Sequence, residues 1–309
     1  ATGKEMKILV TGSSGLVGSA LVRALAGAGH TVCRLVRPQG EGTSESPGGF
    51  NVNWNPVTGE LGGAAVGADA VVNLAGASIA DERWTAERKE VLRTSRIDTT
   101  RALIQALAKM NARPAVLVSA SAIGIYGSRG DELLTEESTA GTNFLAGLAR
   151  EWEAEALKAE ALGIRVVLAR FGIILAREGG ALPKMMVPFK FGAGGRIGDG
   201  KQWMSWVALE DVVGILRFAI EKTSVRGAVN IVAPQPLQNA EFTKVLAKAM
   251  HRPALFPAPP FALRLALGEM ADALLLASQR VVPRRLKEAG YKFSHPELPA
   301  VLNQILNAN

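Results

Sequence analysis

Residues 8–21 read ILVTGSSGLVGSAL, an apolar run that breaks into three glycines, Gly12, Gly15 and Gly18, and then into a helical pattern. A strand that feeds a helix through a glycine turn leaves the unpaired N–H groups of the helix start where an anion can sit. The spacing G-x-x-G-x-x-G gives each glycine a task. Gly12 permits the tight turn, Gly15 lets backbone approach a pyrophosphate, and Gly18 lets the helix pack closely on the strand. Ser13, Ser14, Leu16 and Val17 complete the loop. Because the turn follows the first strand and opens a helix, it predicts dinucleotide binding rather than a purely structural bend.

The next apolar run, TVCRLVRP at 31–38, bears on which dinucleotide. NAD sites usually offer an acid about 20 residues after the glycines, to hold the ribose 2′-hydroxyl. This run has no acid but contains Arg34 and Arg37. Arg37 falls at the strand end, where a guanidinium can pair with the 2′-phosphate of NADP. The direction of Arg34 depends on the strand's alternation. NADP is the expected cofactor.

Further along, apolar runs at Ala70–Leu74, Ala115–Ser119 and Ile164–Arg170, with a less apolar one at Phe50–Trp54, alternate with helical patterns at Val17–Ala28, Arg96–Lys109 and Phe144–Leu162. That alternation is the signature of a parallel sheet covered on both faces. The predicted fold is α/β, a Rossmann doubly wound parallel sheet with a smaller C-terminal substrate lobe. Residues 1–175 form the NADP-binding domain, to which the chain returns at about 207–232. Residues 176–206 and 233–309 form the lobe. Asp211 is expected to cap the helix DVVGILRFAI, and Phe261–Leu276 to be a helix of the lobe.

Composition narrows the function classes. The chain of 309 residues is 48% hydrophobic and 20% charged, a globular profile. No uncharged run exceeds 15 residues, Pro114–Ser128 being one of them, and a membrane span needs about 20 apolar residues. The expectation is a cytoplasmic protein with no membrane partner. The single cysteine, Cys33, lies in an apolar run and reads as a core thiol. His30, His251 and His295 show no ligand spacing, so no metal is expected. The net charge of +7 comes from scattered Lys and Arg without a basic tract, which favours small anionic ligands over nucleic acid. Lys184, Arg196 and Lys201, in a glycine-rich stretch, could grip an anionic substrate, and Trp203 and Trp206 could wall its pocket. Glu90 is a candidate acceptor for a cofactor hydroxyl.

The glycine turn together with NLAG (73–76), SASAIGIYG (119–127) and RFGIIL (170–175) resembles the extended short-chain dehydrogenase/reductases. The stretches NLAGASIADERW, TSRIDTTRAL, REWE, GDGKQWMSWV and VVPRRLKEAGYKF narrow the resemblance to an atypical branch. This branch is the nucleoside-diphosphate-sugar epimerase-like "epimerase family protein" group, which carries a short uncharacterised C-terminal domain. The resemblance covers nearly the whole chain. It implies cofactor contacts from Leu74, Ala75 and Gly76, from Phe171, Gly172 and Ile173, and from Arg96, which stands where the wider family has an asparagine.

Active members of the wider family use a serine to orient the reacting oxygen and a tyrosine to move the proton. A lysine four residues later lowers the phenol's pKa from its ordinary value of about 10. Ser121 matches the serine. The tyrosine and lysine positions fall on Leu145 and Ala149, neither of which titrates. Tyr126 is the candidate substitute acid. Two functions follow: an NADP-dependent oxidoreductase or epimerase acting on a polar, anionic substrate such as a nucleotide sugar, or a non-catalytic NADP(H) sensor or scaffold.

Overall fold

The computed structural model describes residues 4–38, 45–46 and 49–307. The outermost positions of the two expected domain spans, 1–3 and 308–309, lie outside the described residues. Seven parallel strands form the central sheet: β1 (Lys7–Thr11), β2 (Thr31–Val36), β3 (Gly49–Asn53), β4 (Ala70–Asn73), β5 (Val116–Ala122), β6 (Arg165–Phe171) and β7 (Gly227–Ile231). The two-residue strand Glu45–Ser46 pairs antiparallel with β3 at one edge. The spatial order is β3-β2-β1-β4-β5-β6-β7. The direction of winding therefore reverses between β1 and β4, and the crevice beyond their carboxyl ends is where such sheets bind ligands.

Successive strand residues feed opposite cores, as pleating requires. Ile8, Val10, Val72, Val118 and Val167 pack against α1 (Leu16–Gly27) and α5 (Leu209–Glu221). Leu9, Cys33, Val71, Leu117 and Leu168 face α2 (Ala86–Ala108) and the C-terminal part of α3 (Phe144–Leu157). Cys33 is fully buried there, and burial raises its thiol pKa. A second core unites α4 (Ala181–Lys190), α6 (Asn239–Ala249) and α9 (Leu298–Asn307) through Leu182, Phe189, Phe242, Leu246 and Leu302. It sits against the parallel pair Ile173–Leu175 and Trp206–Ala208. Two short helices, α7 (Pro260–Leu267) and α8 (Arg284–Glu288), complete the C-terminal part.

Three local differences from the sequence reading have physical causes. Helix α2 begins ten residues before Arg96, because Thr85 caps it by accepting from the Arg88 N–H. Its first turns are polar and carry little periodic signal. The expected helix at 261–276 stops at Leu267 before Gly268, and a π-turn follows at Ala271–Leu275. Asp211 does not cap α5, whose N-cap is Ala208. It lies inside the first turn, 1% exposed, and accepts from the Ser294 and His295 N–H groups at 2.8 and 2.9 Å, fastening the C-terminal segment to the sheet domain.

Candidate functional site

The glycine turn has the shape its spacing requires. Gly12 has φ +64°, a conformation that favours glycine, and a Cβ there would stand 2.6 Å from the Leu74 carbonyl oxygen. A Cβ on Gly18 would stand 2.1 Å from the Gly12 carbonyl oxygen, so helix and turn touch backbone to backbone. Helix α1 starts at this point with Gly15 as N-cap, no side-chain cap and no acid in its first turn. A phosphate is the group such a terminus can accept.

Register places Arg34 opposite Val10, and its Nε lies 3.5 Å from the Ser13 hydroxyl, so this side chain spans from β2 to the turn. Arg37 stands exposed just beyond β2. Among the described residues neither forms an ion pair. These features fit a dinucleotide carrying an extra phosphate on the ribose, and Gly12–Gly18, Arg34 and Arg37 are the residues that would hold it. The NLAG loop lies against the turn: the Leu74 and Ala75 N–H groups donate to the Thr11 hydroxyl at 3.0 and 3.2 Å. Gly76 adjoins Arg96, whose guanidinium would lie 3.2 Å from a Cβ at that position. Arg96 donates to the Leu92 and Ala77 carbonyls, stacks over Trp152 and has no carboxylate partner among the described residues. Burial, with the Arg88 charge nearby, lowers its pKa to about 10, so it remains a cation at neutral pH. Glu90 sits exposed on α2 and is not drawn into the turn.

Two polar rungs cross the carboxyl ends of the strands, both on the face covered by α2 and α3. In the first, Thr11, Asn73 and Ser119 are in register on β1, β4 and β5. The Thr11 hydroxyl donates to Asn73 Oδ1 at 2.7 Å, and Asn73 Nδ2 donates to Thr100 and Ser119 at 2.9 and 3.2 Å. Trp152 Nε1 also donates to Thr100 Oγ1. This network ties the glycine turn to both helices. Sequence reasoning missed it, although an asparagine ending an otherwise apolar strand was its signal.

In the second rung Ser121, Arg170 and Asn230 are in register on β5, β6 and β7. The Arg170 guanidinium grips Glu153 of α3 with two bonds, Nε–Oε1 at 2.7 Å and Nη2–Oε2 at 2.8 Å. The Ser121 hydroxyl donates to Glu153 Oε1 at 2.6 Å. Tyr126 accepts from Arg170 Nη1 at 2.9 Å and donates to Asn230 Oδ1 at 2.6 Å. Tyr126 is 0% exposed, and burial raises its pKa despite Arg170 beside it. The geometry therefore argues against Tyr126 as the substitute acid, since its proton is committed to Asn230 and has no route to a cleft. Ser121, 2% exposed, likewise spends its hydrogen on Glu153. The glutamate of REWE was the missed signal for this rung.

Around Leu145 the surroundings are apolar. Leu145 packs with Trp84, Leu148, Trp152 and Met270, joined by Phe144 and Phe171. Lys89 lies over the Phe144 ring and pairs with Glu269 of the C-terminal part. Ala149 faces Ile123, Ile125 and Tyr126 instead. Phe171 also touches the α1 side of the sheet, while Gly172 and Ile173 are bonded through their N–H groups to Ile231 and Ser205, leading the chain into the lobe.

The expected substrate residues disperse. Lys184 donates to the Ala80 carbonyl and Asp81, latching α4 to the loop after β4. Arg196 and Lys201 are exposed and form no ion pair among the described residues. Trp203 donates to Asp131 at 2.7 Å and lies under Arg280, fastening its segment to the loop after β5. Trp206 is 1% exposed in the core shared with α4, α6 and α9, so it cannot wall a pocket; its bulk is core-forming.

Comparison with known proteins agrees with this construction. Residues 8–232 match the NAD-dependent epimerase/dehydratase family, and residues 258–305 match a domain of unknown function, DUF1731. The chain is 42% identical over 301 residues to epimerase family protein ML0860 of Mycobacterium leprae, covering 97% of this chain and 95% of that protein. It is 39% identical over 302 residues to epimerase family protein YfhF of Bacillus subtilis, covering 97% and 98%. It superimposes on the crystal structure of the human epimerase family protein SDR39U1 with NADPH at a TM-score of 0.86 and 33% identity, covering 98% of this chain and 99% of that one. No helix among the described residues is long and apolar enough to cross a membrane. With the turn, the strand order and these likenesses together, the chain belongs to the NAD-dependent epimerase/dehydratase family, with a DUF1731 domain following the Rossmann-like fold.

Proposed function

We propose that the protein binds NADP(H) in the crevice between β1 and β4 and uses it as an oxidoreductase on a polar, anionic substrate, without a tyrosine–lysine proton relay. The observation that carries the cofactor reading is the uncapped, acid-free start of α1 with Arg34 beside its turn, Arg37 standing exposed just past β2 and neither arginine pairing with an acid among the described residues. In this reading the α1 N-terminus receives the pyrophosphate, Arg34 and Arg37 hold the 2′-phosphate, and the Thr11–Asn73 network keeps the NLAG loop against the turn. NADP(H) held there would supply hydride-transfer chemistry. The chain's own contribution is positioning and charge: Arg96 supplies a fixed cation beside Gly76, and Leu145 with its apolar neighbours excludes water. The proton comes from solvent or from the substrate itself, since Ser121 and Tyr126 spend theirs inside the second rung.

The same observation favours a second reading, in which NADP(H) binds without turnover and the protein acts as a sensor or scaffold. Following NADPH absorbance against nucleotide sugars, ketones and quinones separates the two. Turnover with an anionic acceptor supports the first. Tight NADPH binding with no turnover across the panel supports the second.

A further inference from the structure

An exposed apolar face lies on the C-terminal part of the molecule and is independent of the cofactor reading. Val187, Phe191, Leu255, Phe256, Phe261 and Leu265 are 47%, 83%, 70%, 59%, 72% and 78% exposed. They lie on adjoining segments. The Phe256 N–H donates to the Gly194 carbonyl, the Ala258 N–H to Arg196 and the Gly198 N–H to Ala258, so the stretch after α4 runs beside the stretch leading into α7. Helix α7 has no buried residue, although its sequence PFALRLAL is almost wholly apolar. Exposed large apolar side chains gathered in this way mark an interaction surface rather than chance exposure.

The charge around them selects the occupant. Residues 184–201 and 248–265 carry seven Lys and Arg against one acid, Asp199. Lys184 pairs with Asp81 and Arg264 with Asp272. Lys190, Arg196, Lys201, Lys248 and Arg252 form no ion pair among the described residues and are all exposed. A second copy docking by the same face would set these cations against themselves. A bilayer with anionic headgroups offers what the face lacks: negative charge at the rim and an apolar interior for the aromatic and leucine side chains. We propose that this face docks the protein on an anionic lipid surface, with Phe191, Phe256, Phe261 and Leu265 entering the acyl boundary and the cations meeting headgroups. This departs from the sequence-based expectation of no membrane partner, which rested on the lack of a spanning segment.

Vesicle co-sedimentation of the full chain tests this. Vesicles of phosphatidylcholine alone and of an equal mixture with phosphatidylglycerol are compared. The expected result is at least about tenfold tighter binding to the mixture, weakened in about 0.5 M salt, where headgroup attraction is screened. The triple variant Phe191→Ser, Phe261→Ser, Leu265→Ser should keep its thermal midpoint, because all three side chains are exposed, and lose at least about tenfold in vesicle affinity. A second variant, Lys190→Glu with Arg252→Glu, should lose the preference for the anionic mixture. Failure of the native chain to sediment overturns the proposal. So does undiminished binding by the triple variant, which means charge alone. Concentration-dependent dimers that the triple variant abolishes, or capture of an acidic protein without vesicle binding, equally overturn it.

Discussion

The second polar rung makes a quantitative prediction. Arg170 and Glu153 meet in a bidentate pair with side chains only 10% and 8% exposed, and Ser121 and Tyr126 hang from the same two groups. Arg170→Met leaves the Glu153 carboxylate buried without its partner, and Glu153→Leu does the same to the guanidinium. Breaking such a pair from one side costs about 3–5 kcal/mol. The loss of one further hydrogen bond, from Ser121 or Tyr126, adds about 1 kcal/mol to each. The double variant removes both charges together and should cost only about 2–3 kcal/mol, the hydrogen bonds and packing that remain unmade. Urea unfolding of the four proteins, followed by circular dichroism, measures these differences, and the deviation from additivity should exceed about 3 kcal/mol. Single variants within about 1 kcal/mol of the native chain, or a double variant equal to the sum of the singles, would refute the assignment of this rung as a locked structural unit.

Other outcomes follow from the same geometry. Tyr126→Phe should cost about 1–2 kcal/mol of stability and leave both NADPH affinity and any turnover within about twofold, whereas loss of a catalytic acid would lower turnover at little cost in stability. Gly18→Ala should abolish NADPH binding in calorimetry, because its methyl group meets the Gly12 carbonyl at 2.1 Å. Arg37→Ala and Arg34→Ala should each reduce the preference for NADPH over NADH by about 10–100-fold, from the loss of a charge-assisted bond to phosphate, and leave NADH affinity unchanged. Glu136, buried with one carboxylate oxygen lacking a partner, has its pKa raised by burial. The folded state then binds its proton more tightly than the unfolded chain, so stability falls as pH rises from the ordinary value of 4.5 through the raised one. Glu136→Gln should remove that fall, its advantage over the native chain growing with pH across the window in thermal unfolding scans.

The glycine turn and the sheet were legible because apolar runs, turn glycines and helical periodicity are local signals. ILVTGSSGLVG states its own strand, turn and helix. Residues whose roles depend on strand register were not. Ser121, Arg170 and Asn230 lie up to 109 positions apart in sequence and become neighbours only through pairing on β5, β6 and β7. Tyr126 was readable as an aromatic near Ser121, but not as a phenol closed in by Arg170 and Asn230. Asp211 looked like a cap because it opens an apolar helical run; its partners, the N–H groups of Ser294 and His295, come from a distant segment. Helix α7 reads as a core helix in composition, and only the fold reveals that none of its residues is fully buried and that Phe261 and Leu265 face outward.

The central claim is that the crevice between β1 and β4 is an NADP(H) site in a chain without a tyrosine–lysine proton relay. Calorimetric titration of the purified chain with NADPH and with NADH tests it most directly. The account predicts one NADPH bound per chain, at least about tenfold more tightly than NADH, as expected for the 2′-phosphate meeting arginine. Equal affinities, or no binding of either dinucleotide, would contradict it.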